Sequence, residues 1–255
     1  MPIDCAFRNC SGLTRVNWNA ENFTGAEHFS IFSGCTNLTT VIIGDNVKTI
    51  PSYAFSGCSG LTSITIPDSV TSIEGSAFSG CNKPTNIHIS SIESWCKITG
   101  LDNLMGYVLS NKKLYINGEE ITELIIPDSV TSIGESAFEG CSGLTSITIP
   151  DSVTSIGEDA FYGCTGLTSV TIGNSVTSIR NAAFRGCTGL TSITIPDSVT
   201  SIGDYAFYGC TGLTSITYKG TIVDWKNITK GYDWKYGVSS RCVIHCTDGD
   251  IKISD

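Results

Sequence analysis

Apolar residues return along this chain on a fixed beat. In LTSITIPDSVTSIGEDAFYGCTG, residues 144–166, they fall at positions 1, 4, 6, 10, 13, 17, 18 and 21 of the segment. Near-copies begin at Leu38, Leu61, Ile121, Leu167, Leu190 and Leu213, the last diverging after its first few residues. A copy longer by two residues begins at Leu13, and the residues before it match the tail of another. The beat is 23 residues: Cys35, Cys58 and Cys81 keep that spacing, as do Cys141, Cys164, Cys187 and Cys210. Within the unit, Ile147 and Ile149 alternate with Ser146 and Thr148, the period-two pattern of a strand with one buried face. Pro150 cannot donate to a ladder and ends that strand. Asp151-Ser152 reads as a turn. Residues 153–156 predict a second short strand. Residues 158–161 predict a single helical or 3-10 turn, closed by Gly163, which can take a positive φ.

A lone unit of this kind does not fold. Its roughly eight apolar side chains return less free energy than ordering the whole segment costs. Stacking reverses the balance, because each coil covers the open apolar face of its neighbour and supplies its ladder partners. The pattern therefore predicts a repeat solenoid with one continuous parallel β-sheet, one strand per coil. Nine strand positions give that sheet a length on the order of 40 Å.

The strand part, L-x-x-I-x-I, matches the leucine-rich repeat pattern L-x-x-L-x-L. With the remainder, IPDSVTSIGxxAFxGCxxL, the unit resembles the 23-residue BspA-like (Treponema pallidum-type) leucine-rich repeats. The resemblance covers residues 1–83 and 121–217 closely. It implies a right-handed leucine-rich-repeat-like coil with short second strands opposite the main sheet. It also implies a setting among bacterial and some protist surface proteins, several of them regarded as adhesins.

Two stretches break the beat and resemble each other. Ile92, Trp95, Ile98 and Thr99 align with Ile222, Trp225, Ile228 and Thr229, and Leu104 aligns with Trp234. Each stretch ends in a turn signal, Asn117-Gly118 or Asp248-Gly249. The expected organisation is a first array over 1–83, a Trp-containing insert over 84–120, a second array over 121–217 and a capping module over 218–255. Ser91 and Thr221 carry helix-cap signals, and the tryptophans should pack over the end of the sheet. The internal copy should bulge or loop out without ending the spiral, since Ile121 restarts the repeat. The chain begins inside a repeat with no leader visible, so a piece of a longer protein is expected.

Composition narrows the function classes. The net charge of −9 and pI near 4.7 argue against a nucleic-acid binder or a polybasic membrane anchor. No apolar run is long enough to span a bilayer. Of the 12 cysteines, eight occupy position 21: Cys10, Cys35, Cys58, Cys81, Cys141, Cys164, Cys187 and Cys210. The preferred reading is a column of buried thiols acting as small apolar groups, with disulfides between adjacent coils left open. Cys242-x-x-x-Cys246, with His245 inside it, is read as a terminal strand ahead of a disulfide or metal pair. His28 and His88 are isolated. No catalytic, metal or cofactor motif is found, so no enzyme, cofactor or metal is expected. Asn-x-Ser/Thr at Asn9, Asn22, Asn37 and Asn227 is unremarkable in so Ser/Thr-rich a chain.

Function is expected on the open strand face, at positions 3 and 5 of each unit. Candidate partner-binding residues are Asn86, His88, Glu123 and Ile125, which flank the internal module with Trp95, Tyr107 and Tyr115. They are joined by the regular pairs Ser146/Thr148, Ser169/Thr171 and Ser192/Thr194. The leading expectation is a non-enzymatic binding or adhesion module for a protein or glycan partner, part of a cell-surface or secreted protein. The alternative is a structural spacer or self-associating stalk, which identical coils would suit. Ice binding ranks below both.

Overall fold

The computed structural model describes residues 6–19, 30–82, 85–106 and 111–254. The chain forms two compact units, Met1–Glu120 and Ile121–Asp255. In the first, strands Arg15–Trp18, Thr40–Ile43, Ser63–Ile66, Asn86–Ile89 and Lys113–Ile116 lie side by side in parallel, followed by Glu119–Glu120 in antiparallel. The second repeats the plan. Glu123–Ile125, Ser146–Thr148, Ser169–Thr171, Ser192–Ile195, Ser215–Tyr218 and Val243–Cys246 are parallel, and Gly249–Lys252 closes the sheet in antiparallel. Register follows the beat: Ser146 faces Ser169 and Ser169 faces Ser192. Two-residue strands line the opposite side, as in Ser132–Ile133, Ser155–Ile156, Ser178–Ile179 and Ser201–Ile202.

The solenoid is present, but the single continuous sheet is not: the long ladder comes as two. Asn117 (φ 53°) and Gly118 (φ 85°) turn the chain back on itself, so Glu119–Glu120 covers the outer edge of Lys113–Ile116. The internal module thus ends a ladder, where a bulge or loop-out that interrupts the spiral without ending it was expected. The expected helical or 3-10 turn also gives way to a chain of hydrogen-bonded turns. Position 16 sits in the left-handed region in six coils, at Tyr53 (59°), Ser76 (59°), Ser136 (54°), Asp159 (52°), Ala182 (51°) and Tyr205 (58°). A left-handed residue cannot belong to a right-handed helical turn. Tertiary bonding holds it there: Asp159 N–H donates to the carbonyl of Asn181 (3.0 Å), Phe161 N–H to that of Ala183 (2.8 Å) and Gly163 N–H to that of Arg185 (2.8 Å), all in the next coil.

Helices occur, among the described residues, only in the two unlike modules, as Ile92–Lys97, Asp102–Met105 and Ile222–Asn227. Ser91 caps the first by accepting from Ser94 N–H, and Thr221 with Asp224 forms a capping box on the last. Asp224 is held ionised by its bonds to Thr221, which lower its pKa. Trp95 and Trp225 are buried.

Side-chain columns fill the coil. Phe32 stacks on Phe55 (5.2 Å) and Phe55 on Phe78 (5.3 Å); Phe138, Phe161, Phe184 and Phe207 repeat the stack at 5.3–5.5 Å. Trp234 meets Phe207 edge-on at 6.2 Å and finishes the second column. The position-21 cysteines form another column. The thiols of Cys35, Cys58, Cys81, Cys164, Cys187 and Cys210 donate to the Phe carbonyl of the preceding coil, as in Cys58 to Phe32 (3.1 Å), Cys187 to Phe161 (3.1 Å) and Cys210 to Phe184 (3.0 Å). All described cysteines are free. Coils approach so closely that a Cβ at Gly166 would lie 2.2 Å from the Ser142 carbonyl oxygen, which is why position 23 is glycine there.

Phe161→Ala removes a fully buried ring that is stacked on both sides. It should lower unfolding free energy by about 3–5 kcal/mol, read from the urea midpoint at unchanged m-value. A loss below about 1 kcal/mol would show that the column contributes little.

Candidate binding site

Strand residues alternate, so positions 3 and 5 face outward while positions 4 and 6 enter the core. In the first unit the outward rows are Arg15, Thr40, Ser63, Asn86, Lys113 and Asn17, Ile42, Thr65, His88, Tyr115. Asn86 and His88 therefore sit beside Lys113 and Tyr115. The His88 ring stacks on Tyr115 at 4.8 Å, and Lys113 Nζ pairs with Glu120 at 2.8 Å. That carboxylate raises the Lys113 pKa. Trp95 is no surface anchor, being 1% exposed. Tyr107, His28 and Asn22 lie outside the described residues.

Glu123 and Ile125 belong to the other sheet, where they face Ser146 and Thr148. The four residues expected to form one patch around the internal module are thus divided between two ladders. Ile125 is 69% exposed. Beyond it Ser146, Ser169 and Ser192 form one row and Thr148, Thr171 and Thr194 the next. At the far end His245 Nδ1 meets Asp250 at 2.9 Å across the closing hairpin.

The hydroxyls of the second unit fall into two groups. Those at positions 2, 9 and 11 bond within the protein. Thr168 Oγ1 donates to the Thr145 carbonyl (2.9 Å), Ser152 Oγ to that of Val130 (2.8 Å) and Thr200 Oγ1 to that of Thr177 (3.2 Å). Among the described residues, the hydroxyls of Ser146, Thr148, Ser169, Thr171, Ser192 and Thr194 meet no partner. They leave two rows of donors and acceptors, about one strand spacing apart, free toward solvent.

Among the described residues no group of three or more His, Cys, Asp and Glu could hold a metal ion. Burial disfavours the thiolate form at several cysteines. It pushes Cys96 up to about 12 and Cys242 to about 11, and also raises Cys187 within its column. Cys58 is raised by hydrogen bonding with Cys81 and then by burial. No described helix is long and apolar enough to cross a membrane.

The family model for the BspA type Leucine rich repeat region matches in six copies over residues 3–98 and 110–229. The chain belongs to this BspA-type leucine-rich repeat family. Leucine-rich repeat families are in general binding scaffolds. Among solved structures, a leucine rich cell surface protein from Faecalibacterium prausnitzii A2-165 is 29% identical over 88% of this chain and 70% of its own, with a TM-score of 0.48. The T. pallidum leucine rich repeat protein is 23% identical over 80% of this chain and 79% of its own, with a TM-score of 0.44. The pneumococcal vaccine antigen PcpA is 18% identical over 92% of this chain and 74% of its own, with a TM-score of 0.49. No curated protein matches the chain.

One group of surface residues escaped the sequence reading. Tyr162, Arg185, Tyr205 and Tyr208 gather on the turn side of the second unit, with Arg185 between 5.1 and 5.5 Å from all three rings. The signal was there: positions 16 and 19 change from coil to coil while their surroundings repeat.

The raised thiols fix a pH dependence. A group with a folded-state pKa above its unfolded value of 9.0 adds stability below pH 9 and loses it as pH rises toward the folded value, about 12 for Cys96. The urea midpoint should fall above pH 9, and less steeply in Cys96→Ala. Identical alkaline slopes in both proteins would contradict this.

Proposed function

We propose that this BspA-type chain is a non-enzymatic binding and adhesion module of a bacterial surface or secreted protein, engaging a protein or glycan partner through its strand faces. The observation that carries this reading is the division of hydroxyls described above. Threonines and serines that serve the coil are bonded to carbonyls of the neighbouring coil; those on the face are left free. A broad, uncharged, regularly spaced surface binds by shape and many weak hydrogen bonds, and gains affinity from area and repetition. The end of the first unit adds distinct chemistry, with the His88–Tyr115 stack beside Asn86 and Lys113. Glu123 and the exposed Ile125 give the second face its own non-uniform start.

The uniformity of the Ser/Thr rows favours one other reading, a spacer or self-associating stalk. The same two residues, Ser and Thr, recur at positions 3 and 5 in the coils that begin at Leu144, Leu167, Leu190 and Leu213. Identical coils specify length as readily as recognition.

Thr148→Glu, Thr171→Glu and Thr194→Glu together place three charges on the second face without touching the core. Attachment of the protein to immobilised extracellular-matrix proteins and epithelial glycans should be saturable and should fall at least about tenfold in the triple variant. Attachment unchanged by the variant, or filaments that grow with concentration in light scattering, would contradict a strand-face binding module.

A further inference from the structure

The coils of the second unit differ from one another chiefly on the turn side. Position 16 runs Asp159, Ala182, Tyr205 and position 19 runs Tyr162, Arg185, Tyr208, while the intervening Ala-Phe and Gly-Cys pairs repeat. Filling the same turn in each coil requires no such change. The variation builds a row of flat groups: the Arg185 guanidinium lies 5.5 Å from the Tyr162 ring and 5.1 Å from Tyr208, and Tyr208 stacks on Tyr236 at 5.0 Å with an interplanar angle of 18°. Tyr236 carries the row into the C-terminal module and is 62% exposed. Beside it opens a cavity of about 420 Å³, walled by Trp234, Tyr236 and Val238 and set with Asp233, Lys235 and Ser240.

We propose that this cavity binds a neutral oligosaccharide, one sugar ring lying on the exposed Tyr236 ring and its hydroxyls reaching Asp233, Lys235 and Ser240. The volume falls within the roughly 300–1,000 Å³ of small-ligand sites. A pyranose has a flat C–H face and a rim of hydroxyls that both donate and accept. It matches a wall that is aromatic on one side and hydrogen-bonding on the other. Charge argues for neutrality. Among the described residues the lining holds one carboxylate and one ammonium, and the ammonium of Lys235 is already engaged with the Ile253 carbonyl and lies 5.7 Å from the Trp234 ring. An ionic ligand would need a surplus of opposite charge, which this lining lacks. A tyrosine with its second face already stacked is held in place, so little conformational freedom is lost on binding. The site is separate from the strand face and stands or falls independently of it.

The intact chain should be exposed to an array of neutral and acidic oligosaccharides, and the strongest neutral hit titrated by tryptophan fluorescence. Saturable binding is expected, with a change in emission from the cavity tryptophan. Tyr236→Ala should weaken binding at least about tenfold. Tyr236→Trp, which keeps a flat ring, should retain it, and Lys97→Ala, on the helix of the first unit and away from both surfaces, should leave it unchanged. Tyr236 is exposed, so each variant's circular dichroism should match the parent. Absence of any neutral saccharide binding at millimolar concentration, binding confined to charged glycans, or binding indifferent to Tyr236→Ala would overturn the proposal.

Discussion

Each coil of this protein is held by contact with the coils on either side. Strand residues pair in register across coils, turn residues donate their N–H groups to the following coil, and phenylalanine rings stack at 5.2–5.5 Å down the interior. Thiols add a second seam by donating to the phenylalanine carbonyls of the preceding coil. Side chains that recur every 23 residues must be small, flat or branched enough to meet copies of themselves. Phenylalanine, cysteine, isoleucine and glycine meet that condition. This also accounts for a cysteine column with no disulfides: the thiol serves as a compact donor at a place where every coil presents a carbonyl.

The same constraint decides where function can sit. Interior positions are fixed by self-contact, and the hydroxyls at positions 2, 9 and 11 are committed to neighbouring coils. Two surfaces remain free to vary: the strand face at positions 3 and 5 and the turn side at positions 16 and 19. The first unit varies the strand face, setting His88 and Asn86 next to Tyr115 and Lys113. The second keeps that face nearly uniform and varies the turn side, where tyrosines and Arg185 collect beside the C-terminal cavity.

Much of this could be read from the amino acids. The strand at Ser146–Thr148, its buried partners Ile147 and Ile149, the positive φ of Gly163 and the thiol column all follow from periodicity and residue size. Three features did not. A left-handed Tyr205 or Ala182 has no sequence signature, because only bonding to the next coil holds it there. The end of the first ladder depends on the reversal at Asn117-Gly118, and a turn signal alone does not say whether the returning strand covers an edge or continues a spiral. The tyrosine row was overlooked because scattered tyrosines look like ordinary surface residues until stacking sets them in register.

Native-state hydrogen exchange of Phe184→Ala tests most directly whether the coils are interdependent. If stability resides in contacts between coils, the lost protection will extend to the amides of the flanking coils, including those of Phe161, Gly163 and Phe207. Loss confined to residues 167–189, with both neighbours as protected as before, would mean that each coil holds itself together and would contradict the account.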